Sequence, residues 1–230
     1  MRVRFIYSKR NGACFVPHIA LAQMFSRSAS RAGLKLTMTQ GFSPRAKISF
    51  APELPAGVVA LNEPVDMFFE FDKFNKSIPE NIVDLMNDSL PEGFNISRVI
   101  FPPDDSPSLG KVCKAAEYLI RIINVNPSTA TPPSHYERHL PASGEAVNAR
   151  NFLSPLTKGR CQLADREVDF INVEKIDDWT KIIIKDPAQN PIGGLVKFMI
   201  SENIISGWQD INIVRTSIGI YDEIKGCVSI

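Results

Sequence analysis

The stretch Thr39-Gln40-Gly41-Phe42-Ser43-Pro44-Arg45-Ala46-Lys47 carries the side chains best suited to meeting a polyanion. Gly41 admits a positive φ or a close backbone approach, and Pro44 stiffens the chain that follows. Arg45 and Lys47 are two apart, so on a strand they share one side. Gln40, Phe42 and Ser43 add an amide, an aromatic ring and a hydroxyl. These groups together suit gripping a phosphate, stacking a base and hydrogen bonding to its edge. The alternative is a hairpin loop with solvated charges and Phe42 turned into the core.

His18 is the second candidate. It stands where a helix begins, and a histidine there suits phosphate binding or general acid–base chemistry. The helix dipole disfavours its protonated form, and a structural or solvent-exposed role is the alternative. Arg27 and Arg31 lie one turn apart on a single helix face, with His18 only loosely aligned to them. His135 and His139 have the i,i+4 spacing of a metal pair, but Pro132, Pro133 and Pro141 crowd that segment and no third ligand is evident. The cysteines at 14, 113, 161 and 227 form no CxxC pair and no CxxxCxxC cluster motif, so they are expected to be reduced structural thiols with no metal. There is no GxxxxGK[ST] loop. Gly193-Gly194 stands outside any GxGxxG, though residues 190–194 retain a weak signal for an anion-accepting turn before a helix.

The charge is uneven. The chain of 230 residues has a net charge of +1. Residues 1–60 hold nine Lys and Arg against the single acid Glu53, a local charge of +8, which leaves −7 for the remainder. A basic segment on a near-neutral chain indicates a localised surface for a polyanion. Hydrophobic residues at 44% and charged residues at 22% exclude disordered, collagenous and disulfide-scaffold classes. No apolar run approaches the ~20 residues of a membrane span, and the first residues read as a strand rather than a signal peptide. The expected compartment is the cytoplasm, with no membrane contact.

The elements that must position these groups follow from periodicity. Residues 3–8 alternate apolar and polar side chains as a half-buried strand does. Pro17 can open a helix, and Ile19, Ala22, Phe25 or Met24, Ala29 and Ala32 continue at helical spacing to Gly33, a natural stop. Short strands are predicted at residues 34–39 and 47–51, and a strong one at 62–72 with Met67, Phe69 and Phe71 on one face. Ser77-Ile78-Pro79-Glu80 suits a helix start, and residues 94–101 form another strand. That order is β-α-β-β-α-β, the ferredoxin-like motif. After a Pro/Asp/Ser-rich linker the rhythm repeats: strands at 117–125, 167–173 and 179–186, a helix at 192–203 and a strand at 210–221, with one or two short helices at most within 131–151. The expected fold is therefore α+β with two tandem ferredoxin-like units, the second less regular. The first is residues 1–101, the linker 102–114, and the second, acidic unit 115–230. Each is predicted to form its own four-stranded sheet. The halves share no sequence identity, so the repeat rests on element order.

The sequence resembles a bacterial family of unknown function, the radical SAM-linked proteins. The likeness runs over most of the chain and is strongest across residues 2–58. It is carried by Pro17-His18-Ile19-Ala20, by Arg31-Ala32-Gly33-Leu34, and above all by Thr39-Gln40-Gly41-Phe42-Ser43-Pro44-Arg45-Ala46-Lys47-Ile48-Ser49-Phe50. Arg166-Glu167-Val168-Asp169 is a weaker match. Pro17 and Ala20 replace the Ser and Asp that flank the histidine in the family, which removes a cap and an imidazole partner. Residues 192–196 lack the arginine of the family's turn before the last helix. The resemblance implies a radical SAM protein as a partner in trans, since this chain has no cluster cysteines and needs no cofactor of its own.

These readings converge on an accessory RNA-binding module serving a radical SAM protein in tRNA or rRNA modification. Its RNA-binding residues would be Arg27, Arg31, Gln40, Phe42, Ser43, Arg45 and Lys47. Two rivals stand beside it. One is an RNA-acting, ribonuclease-like enzyme with His18 as its acid or base; a pseudouridine-synthase reading lacks an Asp before Asp66. The other is a protein-binding scaffold without RNA contact.

Overall fold

The computed structural model describes residues 1–70, 79–123, 160–163, 166–225 and 227–230. The first half follows the expected order. Strand β1 (Arg2–Lys9) leads into a single 3-10 turn (Asn11–Phe15) and helix α1 (His18–Arg31). Strands β2 (Ile48–Phe50) and β3 (Val59–Phe68), helix α2 (Ile82–Ser89) and strand β4 (Phe94–Ile100) complete it. The predicted strand at residues 34–39 is reduced to two isolated bridges, Leu36 with Phe69 and Met38 with Ala46. The proposed cap Ser77 falls outside the described residues.

A short helix α3 (Leu109–Val112) interrupts the expected linker, and its Leu109 is fully buried. Arg2 ties the linker back to β1 by donating to the carbonyls of Ser106 at 2.9 Å and Pro107 at 3.2 Å. Then come β5 (Ala115–Ile122), β6 (Arg160–Leu163), β7 (Arg166–Ile176), β8 (Trp179–Lys185), helix α4 (Ile192–Ser201), β9 (Ile211–Asp222) and β10 (Cys227–Ser229). Strands β6 and β10 were not expected. The short helices predicted within 131–151 fall outside the described residues.

The protein is a mixed α+β fold with one large sheet, not two separate four-stranded sheets. The order is β4-β1-β3-β9-β5-β8-β7-β6, with β2 paired to β3 and β10 to β9 off that path. Neighbours are antiparallel except at the junction, where β3 and β9 run parallel through Val59–Val214 and Ala60–Arg215. β3 offers β1 one edge along most of its length. Its other edge is shared: Val65, Asp66 and Met67 take β2, while Val59 and Ala60 take β9. The single sheet thus arises from a two-residue parallel splice that local periodicity cannot encode.

Two main apolar clusters hold the layers. On β1 and β3, Val3, Phe5, Tyr7, Val65 and Met67, with Phe69 just past β3, alternate toward one face and pack under Leu21, Phe25, Ile82 and Met86 of α1 and α2. The second cluster joins α4 to β5, β8 and β9 through Ile192, Leu195, Val196, Tyr118, Ile182 and Ile213. It also takes in Ala51, Leu54, Val58 and Ala60 from the first half and Leu109 and Cys113 from the α3 region.

The turn after β1 is held by Gly93. Its φ is +87°, and its carbonyl accepts the Arg10 N–H at 2.8 Å. A Cβ there would lie 2.6 Å from the Arg10 carbonyl oxygen and 2.7 Å from Ala13 Cβ. Gly93→Ala is therefore expected to destabilise the chain by about 1–3 kcal/mol through overpacking and left-handed strain. Urea unfolding checks this; a variant within a few tenths of a kcal/mol of the parent contradicts it.

Candidate functional site

Two places gather chemistry-bearing side chains: the loop before β2 and a cleft at the β1–β3–β9 junction.

The loop is a small hairpin standing off the sheet. Thr39 N–H donates to the Arg45 carbonyl at 2.7 Å, Lys47 N–H to Thr37 at 2.8 Å, and Arg45 N–H to Thr39 Oγ1 at 3.0 Å. Gly41 has φ +145°, which an L side chain resists. Gln40, Phe42, Ser43 and Arg45 are all exposed, Phe42 completely so at 109%. Phe42 is therefore not in the core. Lys47 lies over the Phe68 ring, 4.2 Å from its centroid, a cation–π contact that restrains its stem. Of the helix pair, Arg27 is exposed, whereas the Arg31 guanidinium donates to Ser28 Oγ at 3.1 Å and to the Ser89 carbonyl at 2.5 Å. Arg31 thus braces α1 against the end of α2.

The cleft is built by register. β1 sets Tyr7 opposite Glu63 and Lys9 opposite Ala60, with an irregularity between Tyr7 and Lys9. β9 sets Arg215 beside the same Ala60. A methyl side chain therefore stands between two long cations and leaves room beside them. His18 comes in from the start of α1 and packs edge-on against Phe50, ring centroids 5.4 Å apart. The result is a narrow cleft with room for about one water, lined by Tyr7, Lys9, His18, Phe50, Glu63 and Arg215.

Arg215 is its most heavily bonded member. Buried at 1% exposure, it meets Glu63 in a two-pronged pair, Nε to Oε1 at 2.7 Å and Nη2 to Oε2 at 2.5 Å. It also donates to the carbonyls of Pro52 at 3.1 Å and Glu53 at 3.4 Å, and lies within electrostatic reach of the Tyr118 phenol. Burial alone would lower its pKa, but Glu63 and Tyr118 outweigh burial and hold the guanidinium charged. Burial pushes the Tyr7 phenol far up, so it stays neutral. Lys9 is 2% exposed, and its Nζ donates to the Val16 carbonyl at 3.2 Å. Burial lowers the Lys9 pKa against the opposing pull of Cys14 and Glu63.

On the opposite side of β1, Arg4 grips Asp66 through Nε at 2.7 Å and Nη2 at 3.0 Å, with Arg2 at 3.2 Å. Cys113 is buried within reach of both ion pairs. Burial, with Glu63 behind it, pushes the thiol up to about 12, so it is protonated and inert at neutral pH. Cys14 is likewise buried, its thiol held against the Lys9 carbonyl at 3.5 Å. Among the described residues no three His, Cys, Asp or Glu side chains cluster as a metal site does. The pair His135 and His139 lies outside those residues, as do the side chains of Cys161 and Cys227.

His18 was legible as a site residue, but its companions Lys9, Glu63 and Arg215 were not. Their signal is a charge inside an apolar strand. Glu63 interrupts β3, and Arg215 interrupts a run of Ile and Val in β9. Such residues are almost never buried without a partner.

Burial lowers the His18 pKa from its ordinary 6.5; Arg215 and Lys9 add to this, while Glu53 and Glu63 oppose it. Below 6.5 the unfolded chain takes up a proton that the folded chain refuses. The contribution of His18 is therefore complete above 6.5 and is lost as pH falls toward the lower folded value. Wild type is expected to lose more stability than His18→Gln between roughly pH 8 and roughly pH 5 in urea unfolding. Equal losses contradict this placement of the imidazole.

Residues 2–170 match a family model described as "Uncharacterized protein conserved in bacteria (DUF2344)". The chain belongs to that family. The DUF2344 match spans the loop, Lys9, His18 and Glu63 but ends before β8, so Arg215 enters the cleft from beyond it. No curated protein matches the chain. Among the described residues of this DUF2344 member, no helix is long and apolar enough to cross a membrane.

Proposed function

We propose that this protein is an RNA-binding module whose hairpin loop holds a single-stranded segment of tRNA or rRNA. The observation that carries the reading is Phe42: a fully exposed ring on a Gly–Pro loop, with exposed Arg45 and Lys47 following it. An aromatic ring in water costs hydrophobic free energy with no structural return, and a base stacked on it recovers that cost. Neighbouring cations supply the phosphate contacts. The resemblance to radical SAM-linked proteins supports a radical SAM partner in trans that performs the modification in the cytoplasm, so this chain needs no cofactor. The tandem ferredoxin-like organisation belongs to the same reading. It is supported by the strand orders β4-β1-β3-β2 and β9-β5-β8-β7, which share one fourth-first-third-second arrangement. In it residues 1–101 hold the RNA and the acidic residues 115–230 face the partner.

One observation favours a second reading, an RNA-acting enzyme: His18 lines a cleft with Lys9 beside it, as acid–base chemistry requires.

Anisotropy titrations of the isolated chain with single-stranded RNA, at several salt concentrations, test the module. Binding should weaken steadily as salt rises, with RNA left intact. Cleavage would move the enzyme reading forward. No binding at any salt would sink both readings and leave the protein-scaffold alternative.

A further inference from the structure

We propose that Asn87 is an edge guard: its carboxamide closes the outer edge of β4 and keeps a second copy of the chain from adding there as a strand. β4 stands at one end of the sheet and pairs with β1 along one side. A strand in that place presents backbone N–H and C=O groups along its other side, and a further strand can bond to them. The side chains of β4 would favour such an addition. Phe94, Ile96 and Val99 join the first apolar cluster, and Phe101, just past the strand, is exposed.

Asn87 meets that edge as a neighbouring strand would. The Ile96 N–H donates to Asn87 Oδ1 at 2.7 Å, and Asn87 Nδ2 donates to the Ile96 carbonyl at 2.9 Å. A side-chain amide offers the same donor and acceptor as a peptide group. The pair therefore copies the two bonds that an antiparallel neighbour exchanges with one residue. Helix α2 holds Asn87 in place, because Ile82 and Met86 of the same helix are buried in the first cluster. The rest of the edge is blunted by other means. The Pro91 carbonyl accepts the Phe94 N–H at 3.2 Å. The pairing with β1 shifts register between Ile6 and Tyr7, Arg98 puts an exposed charge on the strand, and Pro102 and Pro103 follow it. Bulges, charges and prolines all discourage pairing, but they lie to either side of Ile96. Its own outward groups are answered by Asn87.

Sedimentation velocity of the full chain over a wide range of concentration, with amide exchange read at Ile96, tests the guard. Wild type should sediment as a monomer, with slow exchange at the Ile96 N–H. Asn87→Ala uncovers both Ile96 groups. At low concentration the Ile96 amide should exchange about tenfold faster or more. At high concentration the variant should associate, and that amide should regain protection. Asn87→Asp keeps an acceptor for the N–H, loses the donor to the carbonyl and sets a negative charge on the edge. It should stay monomeric at every concentration, although it too loses stability. If Asn87→Ala does not fold, Asn87→Ser, which can serve one of the two groups, is read in its place. Association of the Ala and Asp variants alike would trace it to lost stability and overturn the guard. A folded Asn87→Ala that remains monomeric overturns it as well, as does wild type already paired through β4. None of these readouts involves RNA, so the guard and the RNA reading fail separately.

Discussion

Arg215→Met is expected to lower the unfolding free energy by about 3–5 kcal/mol, the largest effect of any single change considered for this chain. The reason lies in what is left behind. Glu63 is 3% exposed, and both its oxygens accept from Arg215. Without the guanidinium, a carboxylate stays buried opposite Tyr7 with no cation in bonding contact. The carbonyls of Pro52 and Glu53 also lose a donor, and so does the link between the segment before β3 and strand β9. That link reinforces the parallel junction, which is only two residue pairs long. Replacing both partners, Arg215→Met with Glu63→Met, should recover a substantial part of the loss, because no buried charge then remains unpaired. Urea unfolding of the single and double variants, followed through the linear-extrapolation free energy, checks this. A single-variant loss below about 1 kcal/mol would mean that water reaches Glu63 and the junction is not sealed.

How much of this architecture was readable in advance depends on the range of the interaction involved. The alternation of residues 3–8 and the Pro17-to-Gly33 helical pattern are local, and β1 and α1 lie where that periodicity puts them. Met67 and Phe69 face the core as their spacing required. Strand β3 nonetheless begins three residues early, at Val59, because its first two residues are recruited by β9 about 155 positions away in sequence. No window of a dozen residues contains that information. Helix α3 falls where composition predicts a linker, because four residues are too few to show a period, and its existence follows from Leu109 being buried in the second core. The candidate site divides in the same way. Loop chemistry is contiguous, so Gln40 to Lys47 could be named from composition; whether Phe42 faced the core or water was a tertiary question, settled by its exposure. The cleft assembles residues 7, 9, 18, 63 and 215, and only the histidine is a residue type that draws notice alone.

The loop variants bear most directly on what the protein does. Phe42→Ala removes a ring that the fold does not use: at 109% exposure it supports no packing, so folding should be untouched. If a base stacks on it, RNA affinity should fall by about 1–3 kcal/mol, and the salt slope should hardly change, since no phosphate contact is lost. Arg45→Ala with Lys47→Ala should act differently. Each cation removed eliminates one counterion-release event, so binding should weaken almost regardless of RNA sequence, and the log–log salt slope should drop by about one unit per residue. The decisive measurement is therefore a set of RNA titrations of wild type, Phe42→Ala and the Arg45/Lys47 double variant across several salt concentrations. The account predicts an affinity loss at constant slope for the first variant and a loss with a reduced slope for the second. Equal affinity and equal slope in all three would contradict it, and so would an absence of RNA binding in wild type.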